Sequence, residues 1–444
     1  MQMPKKRFKL SAPQIVVLGF AGLILLGAIL LMLPISSASG EATSFVDAFF
    51  TSTTSVCVTG LVVQDTGSYW SDFGHAIILL LIQIGGLGVI TVAASFTLVT
   101  GRKIGLFQRG TMQEAVASPQ LGGVVRLTGF LLKTTLMIEL LGAIALVPTF
   151  IGKYGWGRGV WMSVFTSVSA FCNAGIDLFG KYAPYSSVTA FVDNPVVNIA
   201  LMALIILGGL GFLTWDDIRT HGIHLRRYRM QSKVILLTSL ILIVVPAIGF
   251  FFLEFTDLPL GKRIWASLFQ SVTTRTAGFN TVDLQQMSEP GILTMIGLML
   301  VGGSPGSTAG GMKTTTLAVL IGCAYAVFRK RESTQFFGRR IAQDAVSTAL
   351  AIFFMYVILS IGGAVVISYI EDLPILTSLF ETTSAVATVG LSLGITPTLS
   401  TVSKWILIVL MYVGRVGGLT LIYAVLAGAK RQIGKLPLDH ITVG

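Results

Sequence analysis

Long apolar stretches dominate this sequence and constrain the fold more than any other feature. Eight of them have twenty or more residues: 13–34, 73–99, 124–151, 195–215, 232–255, 291–328, 344–370 and 403–428. A helix of about 20 apolar residues spans a hydrocarbon core of about 30 Å. Only 11% of the 444 residues are charged, whereas a soluble domain carries about 25%. The sequence therefore predicts an all-α integral membrane protein.

A shorter apolar segment separates the two long stretches of each consecutive pair. These segments are 44–56, 159–171, 263–274 and 375–386. A helix of about 13 residues is only about 20 Å long, too short to cross a membrane. Each segment leads into a loop with one glycine, and the four loops read SVCVTGL, AFCNAGI, TTRTAGF and AVATVGL. We predict a re-entrant helix followed by an irregular loop at each place.

The loop glycines are regularly spaced. Gly60, Gly175, Gly278 and Gly390 are separated by 115, 103 and 112 residues, and a second glycine cluster follows each one 24 to 33 residues later. The spacing predicts four repeats (1–105, 106–222, 223–335 and 336–444), each consisting of a span, a re-entrant helix, a loop and a span. The pore loops would be 44–61, 159–176, 263–279 and 375–391. This gives eight transmembrane helices around a central pore, and we attribute the second glycine set to close helix packing.

Positive charge follows the ends of the long stretches. Of the 31 Lys and Arg residues, 21 lie in the segments 5–9, 102–126, 219–233, 329–340 and 430–435. Cytoplasmic loops carry such an excess, so both termini are expected in the cytoplasm. The net charge of +11 is thus explained by membrane orientation, and we expect no nucleic-acid partner.

The four loops are suited to binding a cation. Irregular backbone at membrane depth is tolerated where it lines a water-filled cavity, and the negative carboxyl ends of the short helices would point at the membrane centre. The loops hold no acid–base pair, but their carbonyls could replace the hydration shell of a monovalent cation. Thr59, Thr276 and Thr388 could add hydroxyl oxygens. An intramembrane enzyme is a remote alternative, because no His, Asp or Glu pair converges in the spans.

One long stretch is interrupted at residues 302–316, GGSPGSTAGGMKTTT. Glycine and proline cost about 1 and 3 kcal/mol inside a helix. The segment nearly matches a phosphate-binding loop, but its lysine is one position late and it lies within a span. We interpret it as an intramembrane gate that includes Gly306, Gly310, Gly311 and Lys313.

Two arginines lie at membrane depth. Intramembrane charges usually face a cavity, so we expect Arg415 to form an electrostatic barrier below the loops. Arg275 would obstruct an ion if it pointed inward. We therefore expect a structural brace, bonded to carbonyls or to a carboxylate such as Glu381, Asp47 or Glu254. Lys133 and Glu139 share a span and are also read as structural.

The loops, with a glycine in each and TVGL at 388–391, resemble those of the Trk/Ktr/HKT superfamily of potassium transporters. The similarity covers essentially the whole chain and is strongest to the KtrB type, the membrane subunit of a sodium-dependent bacterial uptake system. It implies ion binding at Val58, Thr59, Gly60, Asn173, Ala174, Gly175, Thr276, Ala277, Gly278, Thr388, Val389 and Gly390. Only the fourth loop keeps a near-complete TVG signature, so we expect weaker selectivity than in a potassium channel. Glycine rather than serine at position 60 favours potassium.

The resemblance also implies partners and a location. It implies a homodimer in the bacterial cell membrane, above a cytosolic ring of RCK-type subunits that bind ATP or ADP. The basic segments 219–233 and 329–341 would be the docking surface, although orientation alone also explains their charge. No cofactor is expected, with K⁺ as the transported ion and Na⁺ as a possible activator. Channel-like uniport and symport stay open, including a symporter of this fold that selects Na⁺ or couples K⁺ to Na⁺ or H⁺.

Overall fold

The computed structural model describes residues 11–88, 91 and 124–425. Helices dominate this part of the chain and confirm the predicted helical fold class. They are α1 Ala12–Leu31, α2 Phe45–Cys57, α3 Thr66–Tyr69, α4 Asp72–Leu87, α5 Val124–Tyr154, α6 Trp156–Cys172, α7 Pro195–Gly209, α8 Phe212–His221, α9 Met230–Leu253, α10 Leu260–Thr273, α11 Glu289–Met299, α12 Thr314–Phe328, α13 Gln343–Glu371, α14 Ile375–Val386, α15 Thr401–Val416 and α16 Gly418–Val425. One two-stranded hairpin, β1 Gln335–Phe336 and β2 Arg339–Arg340, precedes α13. The basic clusters 5–9 and 430–435, most of 102–126, the predicted boundary at 105/106 and both termini lie outside the described residues.

Within the described residues, four helices are each long and apolar enough to cross a membrane. They are α1, α5, α9 and α13, and each corresponds to the first span of a predicted repeat. Their outer faces expose large apolar side chains such as Leu140, Val245 and Ile358. In a lipid environment these side chains contact acyl chains, so their exposure carries no cost.

The second span of each predicted repeat is interrupted. α7 and α8 meet at 100° around Gly211, and residues 300–313 separate α11 from α12. α4 ends before Gly88 and α15 ends before Gly417; these two glycines and Gly211 have φ of 84–85°, a conformation that only glycine adopts readily. The sequence suggested 195–215 and 403–428 as single spans, and in this respect it was wrong. Only the break at 302–316 was expected.

The second glycine set lets the interrupted helices approach the short helices closely. A Cβ atom placed on Gly85, Gly208 or Gly414 would lie 2.1, 2.0 or 2.0 Å from a backbone carbonyl oxygen. Those oxygens belong to residues four positions before a loop glycine: Val56, Phe171 and Val386. The expected close packing is confirmed, and no larger residue fits at these positions.

Each short helix is also anchored to the long helix that precedes it. A hydroxyl near its carboxyl end donates a hydrogen bond to a backbone carbonyl of that long helix. The four bonds are Ser52 to Ile24 at 2.7 Å, Ser167 to Glu139 at 2.6 Å, Ser271 to Ile243 at 2.6 Å and Thr382 to Ser360 at 2.9 Å. Because a buried hydroxyl needs a partner, these bonds fix the depth at which α2, α6, α10 and α14 end.

Candidate functional site

The four loop glycines meet at one place in the molecule. A Cβ atom on Gly60, Gly175, Gly278 or Gly390 would lie 2.6, 2.7, 2.7 or 2.1 Å from a carbonyl oxygen of another loop. In each case that oxygen belongs to the residue just before the next loop glycine, in the order Ala174, Ala277, Val389 and Thr59. The last contact returns to the first loop, so the backbones form a closed ring. A side chain at any of the four glycines would collide with the neighbouring loop.

The loop backbones share an unusual conformation. Val58, Asn173, Thr276 and Thr388, each two positions before a loop glycine, have φ between 52° and 64°, and the glycines have φ between 64° and 103°. A left-handed non-glycine residue costs about 1–3 kcal/mol, so its surroundings must hold it in place. Alternating hand turns successive carbonyls to the same side of a loop, whereas in an extended strand they alternate. Converging carbonyls of this kind are what a dehydrated cation requires.

Hydroxyl side chains at the ends of the short helices hold the loops in this shape. Thr54 and Ser384 accept hydrogen bonds from the backbone nitrogens of Gly60 and Gly390 at 2.9 and 3.0 Å. Ser169 and Thr273 donate to the carbonyls of Ile176 and Phe279 at 2.6 and 2.5 Å. The sequence interpretation missed these four residues. The signal was a Ser or Thr six positions before the loop glycine, or five in the third loop.

Three loop threonines have side-chain hydroxyls that bond to nothing else in the described residues. The Oγ1 atoms of Thr59, Thr276 and Thr388 are buried and have no hydrogen-bond partner there. Buried polar groups are normally paired, so these oxygens are free to bind a ligand. Asn173, the equivalent residue of the second loop, instead donates its side-chain Nδ2 to the carbonyl of Arg275 at 3.3 Å.

On one side the ring opens into a cavity of about 400 Å³. The four loop glycines line it together with Asp65, Asp177 and Asp283. Burial raises the pKa of the Asp177 carboxyl to about 7, and the nearby charge of Asp65 adds to the effect. Carboxylates around a concave mouth raise the local concentration of cations.

The segment 302–316 packs against two of the loops. A Cβ atom on Gly310 would lie 1.8 Å from the hydroxyl of Thr388, and one on Gly302 would lie 2.9 Å from the methyl group of Thr276. Gly311 approaches the carbonyl of Ala387, and the carbonyl of Gly306 accepts a bond from the nitrogen of Phe212 at 2.8 Å. The segment therefore lies directly against the third and fourth loops.

The two basic residues of this region bond to backbone carbonyls. Lys313 donates to the carbonyls of Ala309 and Gly310 at 2.9 and 3.1 Å, within its own segment. Arg415 donates to the carbonyl of Thr308, and to those of Gly85 and Gly86 at 2.5 and 3.1 Å. Arg415 on α15 thus ties the segment 302–316 to the end of α4.

Arg275 is a buried brace, but its partner differs from the expected carboxylates. Its Nη2 donates to the Ser239 hydroxyl on α9 at 3.0 Å. The proposed carboxylates have other partners: Thr396 for Glu381, Lys404 for Asp47 and Ser288 for Glu254. The prediction that Arg275 bonds to one of these carboxylates was therefore wrong, because each carboxylate is paired with a residue other than Arg275.

Lys133 and Glu139 do not pair with each other. Lys133 is exposed, and Glu139 accepts a hydrogen bond from Gln83 at 3.3 Å. The three cysteines, Cys57, Cys172 and Cys323, are free thiols. Cys172 packs against Gly86.

Comparison with known proteins identifies the family. The family model TrkH, described as a cation transport protein, matches residues 11–428. The chain belongs to the TrkH family of cation transport proteins. Its relatives include the potassium/sodium uptake protein NtpJ of Enterococcus hirae, 40% identical over all of both chains, and the Ktr system potassium uptake protein B of Bacillus subtilis, 37% identical over 94% of each.

A solved structure agrees with this membership. The potassium transporter TrkH from Vibrio parahaemolyticus shares the fold with a TM-score of 0.73 and 19% identity, over 95% of this chain and 86% of that one. The family resemblance seen in the sequence is confirmed. The protein is a multi-pass membrane transporter and not an enzyme.

Proposed function

We propose that this protein is the potassium-translocating subunit of a bacterial uptake system and that K⁺ passes through the ring of four loops. The closed ring of loop carbonyls and glycines carries this proposal, because it brings together one backbone oxygen from each of the four loops. Relatives in Enterococcus hirae and Bacillus subtilis are named as potassium uptake proteins, which supports K⁺ as the ion.

The proposed ion ligands are the residues that surround this ring. They are Val58, Thr59 and Gly60; Asn173, Ala174 and Gly175; Thr276, Ala277 and Gly278; and Thr388, Val389 and Gly390. The unpaired hydroxyls of three of them fit this role. Because the loops differ in sequence, we propose that the filter selects K⁺ over Na⁺ less strictly than four identical loops would.

The segment 302–316, with Gly306, Gly310, Gly311 and Lys313, is the proposed gate. Its contacts with Thr276 and Thr388 support this, since ions leaving the ring on that side meet it directly. Arg415 would hold the gate in place and present positive charge below the ring. Opening then requires the bond from Arg415 to Thr308 to break.

Regulation is assigned to partners outside this chain. We propose a homodimer with Na⁺ as an activator, working with a cytosolic RCK-type ring that binds ATP or ADP. One relative is named as protein B of a Ktr system, which suggests more than one component. The exposed side chains of Arg226, Arg227, Arg339 and Arg340 would form part of the docking surface. The proposed topology has eight spans in four repeats, with both termini in the cytoplasm of the bacterial cell.

Complementation tests the transport proposal. A bacterium without potassium uptake systems should grow on low potassium when it expresses this protein, and not when it carries the empty vector. The matched control is Gly278→Val, whose Cβ would lie 2.7 Å from the carbonyl of Val389 and should block the ring. Growth equal to the empty vector, with the protein detected in the membrane, would contradict the proposal.

The coupled alternative has its own test. One relative is named a potassium/sodium uptake protein, which gives symport with Na⁺ a specific basis. In proteoliposomes, an imposed Na⁺ or H⁺ gradient should drive Rb⁺ accumulation against its own gradient only if transport is coupled. Rb⁺ that merely follows its electrochemical gradient indicates channel-like uniport.

A further inference from the structure

One buried carboxyl group has no function in the pathway described above. Glu381 lies on α14 with 0% of its surface exposed. Its Oε1 accepts a hydrogen bond from the Thr396 hydroxyl, and its Oε2 has no hydrogen-bond partner in the described residues. Among those residues, no Lys, Arg or His nitrogen lies within the 4.0 Å of an ion pair with Glu381. A buried carboxylate without a positive partner costs several kcal/mol.

The other short helices show that packing does not demand a charge at this position. Glu381 lies three residues before the loop-holding hydroxyl of Ser384. The same position is occupied by Thr51, Thr166 and Gln270 in α2, α6 and α10. Gln270 has the shape of glutamate without its charge, and it is equally buried. The carboxylate of Glu381 is therefore a specific feature of the fourth loop.

The surroundings of Glu381 supply further oxygen ligands and a route to water. Thr396 also contacts the Ser392 hydroxyl, with the two oxygens 3.2 Å apart. Ser392 and Thr396 both line the cavity into which the ring opens on one side. Carboxylate and hydroxyl oxygens are hard ligands that suit alkali and alkaline-earth cations. A single carboxylate balances one positive charge, and closely spaced oxygens suit a small ion.

We propose that Glu381, Ser392 and Thr396 form a Na⁺ site beside the fourth loop, distinct from the carbonyl ring. The bound ion would join α14 to the loop that follows Gly390. Since α14 also holds Gly390 through Ser384, Na⁺ at this site would stabilise the conducting shape of the loop. The inference rests on the proposed function, because it gives the activator of that function a location.

Binding is tested first on the purified protein, without transport. The thermal unfolding midpoint is followed while NaCl replaces choline chloride at constant ionic strength. Na⁺ should raise the midpoint of the wild type, and Glu381→Gln should need about tenfold more Na⁺ for the same rise, as expected when a charged ligand is lost. The control is Glu371→Gln, which removes a carboxylate whose Oε1 is already bonded to Ser400 and Ser403; its Na⁺ response should equal that of the wild type.

A second variant guards against misfolding of the first. Thr396→Val keeps the carboxylate and the volume but removes the hydroxyl, and it should also shift the Na⁺ response to higher concentration. A wild-type Na⁺ response in both Glu381→Gln and Thr396→Val would overturn the proposal. An equal loss of stabilisation by K⁺ in the two variants would also overturn it, because the site would then not be distinct from the ring.

Transport measurements distinguish a failure of the Na⁺ site from a failure of the proposed potassium pathway. Rb⁺ uptake into proteoliposomes should rise with Na⁺ in the wild type, with about tenfold more Na⁺ needed in Glu381→Gln. Rb⁺ uptake that is insensitive to Na⁺ in the wild type would overturn the Na⁺ site and leave the potassium pathway intact. Absence of Rb⁺ uptake under all conditions would contradict the pathway, while the thermal measurement still decides whether Na⁺ binds at Glu381.

Discussion

The bonds of Arg415 give a quantitative prediction for the proposed gate. Arg415→Gln removes the charge and the forked guanidinium, so the side chain can no longer bond to the carbonyls of Thr308, Gly85 and Gly86 at once. Only the Thr308 carbonyl belongs to the segment 302–316. Losing that bond frees the segment from α4, and we expect the closed arrangement to be less stable.

The expected size of the effect follows from the energy of one such bond. Interhelical hydrogen bonds inside membrane proteins contribute about 0.6 kcal/mol on average and up to about 1.7 kcal/mol. These values correspond to roughly threefold to twentyfold in an equilibrium constant. Arg415→Gln should therefore raise Rb⁺ flux in the absence of regulatory partners by roughly threefold to twentyfold, up to the limit at which the gate is always open.

The assay is the initial rate of ⁸⁶Rb⁺ uptake into proteoliposomes at equal protein content. Lys404→Gln is the matched control, since Lys404 lies on the same helix but pairs with Asp47 at 3.0 Å, away from the gate. Arg415→Lys distinguishes the electrostatic role of Arg415 from its hydrogen-bonding role, because it keeps the positive charge and loses the forked guanidinium. Flux at or below the wild-type rate in properly folded Arg415→Gln would refute the view that this residue holds the gate closed.

Four further predictions concern the ring, the helix packing beside it and the cavity on one side of it. Gly60→Ser should weaken the preference for K⁺ over Na⁺ in paired uptake measurements and also lower stability, since its Cβ would lie 2.6 Å from a carbonyl oxygen and φ is 103°. Gly86→Ser should lower the thermal midpoint but keep the ion preference; the opposite result would mean that the ring is misplaced. Ser384→Ala removes the hydrogen bond to the part-buried nitrogen of Gly390, at a cost of about 1 kcal/mol, and should lower both the thermal midpoint and K⁺ selectivity. Because the pKa of Asp177 is raised to about 7, its carboxyl gains charge as pH rises from 6 to 8; the KM for K⁺ should fall over this range, and a KM that changes equally in Asp177→Asn would exclude that carboxyl as the cause.

The sequence identified the loops because their signals are local. A helix too short to cross the membrane, followed at once by glycine, is visible within about 17 residues. The fourfold spacing then indicated that Gly60, Gly175, Gly278 and Gly390 are equivalent. Equivalent loops were expected to surround one pore, and in the structure the four glycines lie against one another.

Features that depend on distant contacts could not be predicted in the same way. Arg415 bonds to carbonyls that are 107 to 330 positions away, and backbone carbonyls leave no mark in a sequence. Arg275 uses the hydroxyl of Ser239, a partner no more conspicuous than other serines in the spans. The breaks at Gly211 and Gly417 were missed because an apolar stretch with glycines predicts a packed helix as readily as an interrupted one.

The ring of loop backbones has a consequence for the evolution of this protein. Its four carbonyls come from Thr59, Ala174, Ala277 and Val389, which are encoded separately in one gene. In a tetramer of identical subunits, every substitution in the loop appears four times and alters all sides together. Here a single substitution alters one quarter of the ring and leaves three intact. On the proposed pathway, a substitution that spares the loop glycine can therefore shift ion preference in a small step, because the other three sides of the ring stay as they were.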